Sequence, residues 1–89
     1  MARAIASLKR LGVWIYGADA EGGALAYDLD YKVATAIILG AEGTGMRRLT
    51  KEHCDILFSL PMRGTVTSLN VSVAAGICLY EALRQRTKI

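Results

Sequence analysis

Proline, histidine, asparagine, tryptophan and phenylalanine each occur once in these 89 residues, and the two cysteines, Cys54 and Cys78, form no CxxC pair. With His53 the lone histidine, no standard zinc ligand set can be assembled from one chain, so no metal is expected. Both cysteines read as reduced, partly buried thiols. No apolar run approaches the roughly 18–20 residues of a membrane span, and the first residues lack the apolar core of a signal peptide. A soluble, cytoplasmic protein without a membrane partner is the expectation. Low-complexity segments, internal repeats and Pro/Ser-rich linkers are also missing, so no domain boundary is expected inside the chain.

What is present is core material. Hydrophobic residues make up 53% of a chain short for a domain, and small chains bury proportionally less surface. Part of that surface is therefore expected to be covered by a further segment or a second copy. Eleven Lys and Arg against eight Asp and Glu give a net charge of +3, which suits an anionic partner and equally suits ordinary solubilising charge.

Read in order, residues 2–11 form an amphipathic helix with Ile5, Leu8 and Leu11 on one side and Gly12 as its stop. Residues 13–18 follow as a strand and 19–23 as a turn. Residues 24–31 alternate Tyr27, Leu29 and Tyr31 with Asp28 and Asp30, compatible with a short edge segment or an irregular crossing. Residues 32–39 carry no charge beyond Lys32 and are largely apolar or β-branched, so they are expected to form a central strand buried on both faces. A short helix over 46–54, a strand over 56–60 and a helix over 68–86 complete an alternating pattern. That order predicts an α/β fold, a parallel sheet flanked by helices, with functional loops at the carboxyl ends of the strands.

Two glycine-bearing stretches fall at such ends, GAEGTG after one strand and PMRGTVTSLN after the next, and are expected side by side. The glycines at 40, 43 and 45 allow a close backbone approach to a ligand, but not in the dinucleotide spacing. A plain tight turn is the competing reading. Ser68 is placed to cap the last helix. From residue 71 to 79 that helix has only Ser72 as a clearly polar side chain, so it is expected to be covered all round and to emerge only through Glu81, Arg84, Gln85, Arg86 and Lys88. One small sheet covers one helix face, so a homodimer with Ile77, Tyr80 and Leu83 in or beside the contact is expected. Trp14 and His53 read as structural.

The run PMRGTVTSLNVSVAAGICLYEALRQR resembles the third signature motif of the SpoU (TrmH-type) RNA ribose 2′-O-methyltransferases, members of the trefoil-knotted SPOUT superfamily, and IILGAEGTGM resembles the second. Within the family, GAEGTGMRRLTKEHCD is most similar to the bacterial type that methylates a guanosine of 23S ribosomal RNA. The resemblance implies a SPOUT-type α/β trefoil knot, S-adenosyl-L-methionine as cofactor and ribosomal RNA as partner. It covers nearly all of residues 1–89, but only the C-terminal portion of the family's catalytic domain.

Carried over by motif position, Leu39, Gly40 and Gly45 line one wall of the cofactor pocket, Leu60 and Met62 provide backbone and apolar contacts, and Ser68 and Leu69 close it. Glu42, Ser68 and Asn70 are the implied catalytic residues. A solvated Glu42 and an Asn70 that merely bonds at a helix start are the alternatives. Arg47, Arg48 and Arg63 are candidates for RNA phosphates, with plain surface charge as the alternative. The family's first motif, N-x-G-x-x-x-R, is not among these residues, because Asn70 is the sole asparagine. The expectation is therefore a fragment or truncated relative that does not methylate alone, and a non-catalytic RNA-binding or dimerisation module is the rival reading.

Overall fold

The computed structural model describes residues 2–19, 21–40, 47–60 and 71–87. Helix α1 (Ala2–Arg10) owes its length to alanines and its end to charge and glycine. Lys9 and Arg10 sit in the last turn, where the helix dipole favours cations. Gly12 then takes φ +83°, while Gly12 N donates to Lys9 O and Val13 N to Leu8 O. This paired closure uses a left-handed residue that costs glycine nothing. It also turns Leu11 out of the helical stripe. Ile5 is buried, but Leu11 is 78% exposed, contrary to the expectation that it faces the core.

Strand β1 (Trp14–Ala18) is followed by β2 (Ala24–Leu25) and a 3₁₀ turn (Ala26–Asp28), so the unassigned stretch contains the short edge segment. Strand β3 (Thr35–Ile38), helix α2 (Arg48–His53), strand β4 (Ile56–Ser59) and helix α3 (Val71–Arg86) complete the order. All pairings are parallel and the strand order is β2-β4-β1-β3. The expected parallel sheet flanked by helices is thus present, but its centre is elsewhere. Among the described residues β3 is an edge strand, half-buried throughout, and β1 is the strand whose Ile15, Tyr16 and Gly17 are buried. Lack of charge marked β3 as compatible with burial; pairing decided that β1 receives it.

Connections between parallel strands ordinarily need about a dozen residues. Here residues 19–23 suffice, because Ala18 and Ala24 pair with the same residue, Phe58, from opposite sides. The chain steps sideways across β4 without returning to its start.

The core joins Tyr16, Phe58, Tyr31, Ala26 and Leu29 to Cys78 of α3. Tyr16 and Tyr31 meet edge to face with centroids 5.8 Å apart. Their hydroxyls donate to Asp30 O at 2.6 Å and Ala26 O at 2.7 Å, which lets two polar groups enter an apolar core. At the opposite end Asp55 exchanges two hydrogen bonds with Ile15, accepting from its N at 2.7 Å and donating to its O at 2.8 Å, and pairs with Lys9 at 3.4 Å. One carboxylate thereby joins α1, β1 and the start of β4.

Helix α3 is not covered all round. Ala74 and Cys78 are buried and Ala82 packs on the core, whereas Val73, Ile77, Leu79, Tyr80 and Leu83 are exposed. Its last turns are not simply solvated either. Gln85 accepts from Tyr31 N at 2.8 Å and donates to Leu29 O at 2.7 Å, and Arg86 donates to Tyr31 O and Val33 O at 2.7 and 3.0 Å. Two side chains thus clamp the backbone that leads into β3. Among the described residues no helix is long and apolar enough to cross a membrane.

Candidate functional site

Because the sheet is parallel, β3 and β4 end at the same edge, and each ends where a glycine-bearing motif begins. Leu39 and Gly40 continue from β3 and Leu60 from β4, all half-buried. The two exits are not neighbours, as expected from sequence, but flank β1, two strand spacings or roughly 10 Å apart. The carboxyl end of such a sheet, between diverging connections, is where α/β folds receive ligands. Of the other expected site residues, Glu42, Gly45, Met62, Arg63, Ser68, Leu69 and Asn70 lie outside the described residues, as does the Ser68 cap.

Beside Leu60 opens a pocket of about 570 Å³ lined by Tyr27, Val73, Ile77, Tyr80 and Glu81 among others. Its one carboxylate is already engaged. Arg84 grips both oxygens of Glu81 at 2.9 and 2.8 Å and Gln85 donates to one at 2.9 Å, which holds the carboxyl down at about 2 and the guanidinium above its ordinary value. Glu81 is therefore an ionised structural group, unsuited to proton transfer near neutral pH. The pocket is otherwise an apolar surface with two tyrosines.

Arg47 and Arg48 open α2, directly after residues 41–46, and both are exposed. Arg48 pairs with Glu52 at 3.3 Å, but with its side chain 93% accessible the pair is weak and leaves the guanidinium available to a phosphate. His53 is half-buried at the other end of α2 and Trp14 half-exposed at the start of β1. Burial raises both cysteine thiols, so Cys54 and Cys78 stay protonated near neutral pH, and neither is in a disulfide. Among the described residues no three His, Cys, Asp or Glu side chains gather around a metal position.

Sequence reasoning missed the residues that hold this edge together. Asp19 N donates to Phe58 O at 2.8 Å and an Asp19 oxygen pairs with Lys51 of α2 at 3.2 Å. Gly22 lies against the Phe58 backbone. The only available signal was the turn chemistry of DAEGG, which says that a bend occurs but not what it touches.

A parallel sheet flanked by helices, with strands that run into two glycine-bearing segments at its carboxyl edge, defines an α/β domain of the class that receives ligands at that edge. The chain matches the SpoU rRNA Methylase family over residues 1–80 and belongs to it. It carries the α/β fold of this trefoil-knotted class; residues 41–46 of motif two and residues 61–70, the first part of motif three, lie outside the described residues. It is 54% identical over 89 residues to the 23S rRNA (guanosine-2′-O-)-methyltransferase RlmB of Pseudomonas aeruginosa, covering 100% of this chain and 36% of that protein. The A. aeolicus TrmH/SpoU tRNA modifying enzyme superimposes with a TM-score of 0.87 at 35% identity, over 96% of this chain and 44% of that one. The SpoU methyltransferase AviRb from Streptomyces viridochromogenes, solved in complex with the cofactor AdoMet, gives 0.83 at 32% identity, over 96% and 33%. The chain spans little more than a third of the length of the curated relatives it matches.

Proposed function

We propose that this chain is the cofactor-binding, C-terminal portion of an RNA ribose 2′-O-methyltransferase that uses S-adenosyl-L-methionine and acts on a guanosine of 23S ribosomal RNA in the cytoplasm. The observation that carries the reading is that β3 and β4, the strands that precede the bulk of the two family motifs in sequence, end at one edge of the sheet. Half-buried Leu39, Gly40 and Leu60 suit adenine, which needs an apolar slot with backbone polar groups at its rim. When bound, the cofactor supplies an electrophilic methyl group. Gly45, Met62, Ser68 and Leu69 complete its binding set in this reading, and Glu42, Ser68 and Asn70 orient the reacting groups. A ribose hydroxyl is a weak nucleophile, so what these residues contribute is alignment and help with its proton.

Arg47, Arg48 and Arg63 serve as phosphate contacts for the RNA. The outer edge of β3, unpaired among the described residues, supports placing residues 1–89 as one end of a wider sheet, since such an edge presents backbone donors and acceptors. The apolar outer face of α3 supports a homodimer.

Calorimetry on the folded chain with S-adenosylhomocysteine tests the central claim. Saturable binding, lost in Leu60→Asp, is expected. A folded chain that shows no saturable heat with either the methylated or the demethylated cofactor overturns it.

A further inference from the structure

The segments that carry the two motifs are separated by α2 and β4, and both elements are tied to one corner of the fold. Asp19, at the end of β1, gives its N–H to Phe58 O at 2.8 Å and accepts from Gly22 N at 2.8 Å, which closes the turn. One carboxylate oxygen lies 3.5 Å from Glu21 N and the other 3.2 Å from Lys51 Nζ. Lys51 stands on α2, which receives the chain after residues 41–46, and Phe58 lies just before Leu60 and residues 61–70. Asp19 therefore touches the element after motif two and the element before motif three.

Gly22 seats the corner. A Cβ built on it would lie 2.5 Å from Phe58 C and 2.7 Å from Phe58 N and Cα, closer than a side chain can stand to backbone. The glycine does not have positive φ, so space and not dihedral freedom demands it. Gly23, its neighbour, has nothing within 4 Å of a Cβ. A methyl at 22 must lift the corner or push β4 at Phe58, next to the strand end that leads into motif three.

We propose that Asp19 and Gly22 are positioning residues of the cofactor site: by fixing α2 against the end of β4 they set where Arg47 stands relative to Leu60. This rests on the cofactor reading above. Neither residue touches the ligand; each acts through Lys51 or Phe58.

The test is calorimetric titration of the 89-residue chain with S-adenosylhomocysteine, with affinity expressed per folded molecule from the urea midpoint of each variant. Gly22→Ala is expected to weaken binding about tenfold or more, and Gly23→Ala, an equal loss of backbone freedom without the contact, less than about twofold. Lys51→Glu is expected to weaken binding about threefold, with a melting midpoint no more than about 4–8 °C below the parent's because the ion pair is only partly buried. Combining it with Asp19→Lys, which restores opposite charges, is expected to recover the affinity. A folded Gly22→Ala chain with parental affinity overturns the proposal, as does a Lys51→Glu loss that the charge swap fails to rescue. If Gly22→Ala does not fold, the Asp19 and Lys51 variants decide. A folded parent chain that binds no S-adenosylhomocysteine removes the cofactor reading itself, whereas a parent that binds beside indifferent variants removes only this inference.

Discussion

Tyr31 and Glu81 show how single side chains carry pH dependence into this fold. The Tyr31 hydroxyl is buried and donates to Ala26 O, and burial, followed by the charges of Cys78 and Glu81 in their ionised forms, raises it well above its ordinary value of 10.0. Tyr16, Cys54 and Cys78 are raised too, each chiefly by burial. A group whose folded pKa is raised contributes stability that is complete below its unfolded pKa and is lost as pH climbs toward the folded value. Thermal midpoints are therefore expected to fall above about pH 9–10. Tyr31→Phe should make that fall shallower, while costing about 1 kcal/mol or more near neutrality for the orphaned carbonyl. Glu81 works in the opposite sense. Its carboxyl is held at about 2 by Arg84 and then Gln85, against 4.5 ordinarily, so its contribution is complete above about pH 4.5 and is lost as the pH drops toward 2. Glu81→Gln is expected to flatten the melting curve between those values, and an unchanged acid limb would show that Arg84 does not hold it.

Among the elements, α3 does two jobs with different residues. Its Ala74–Cys78–Ala82 stripe lies on the core, and its last turn holds the backbone before β3 through Gln85 and Arg86. Gln85→Ala leaves Tyr31 N and Leu29 O without their partner in a part-buried place, and a loss of about 1–3 kcal/mol in urea unfolding is expected. Phe58→Ala, at the crossing point of β1, β4 and β2, should cost more, about 3–5 kcal/mol, because a fully buried ring leaves a cavity that three strands cannot close. A Gln85→Ala midpoint equal to the parent's would mean that water replaces the clamp at no loss.

At the scale of the whole molecule the outer face of α3 is, among the described residues, exposed and apolar. Val73, Ile77, Leu79, Leu83 and Tyr80, the last 68% exposed, form an apolar surface beside the pocket next to Leu60. A two-fold contact through this face is the simplest way to remove it from water, and Tyr80→Glu would set an unpaired charge within it, at about 1–3 kcal/mol or more. The parent is expected to scatter light as a dimer and the variant as a monomer or an unfolded chain. A parent chain that stays folded and monomeric at high concentration would rule out this assembly.

From the amino-acid sequence alone came the types of the elements outside residues 24–31, the parallel α/β class, the Gly12 helix stop and the two motif segments, because helix periodicity, turn residues and family wording are local properties of the chain. Strand order was not legible. The apolar runs of β1 and β3 are equally suited to a sheet centre, and only pairing with β4 put Ile15 and Tyr16 inside and left the residues of β3 half-exposed. Nor could composition tell that Gln85 and Arg86 bond backbone more than 50 positions away, or that Gly22 is required by Phe58 while Gly23 is not. Those roles depend on which distant backbone groups lie within a few ångströms, and chain crossing decides that where local pattern does not.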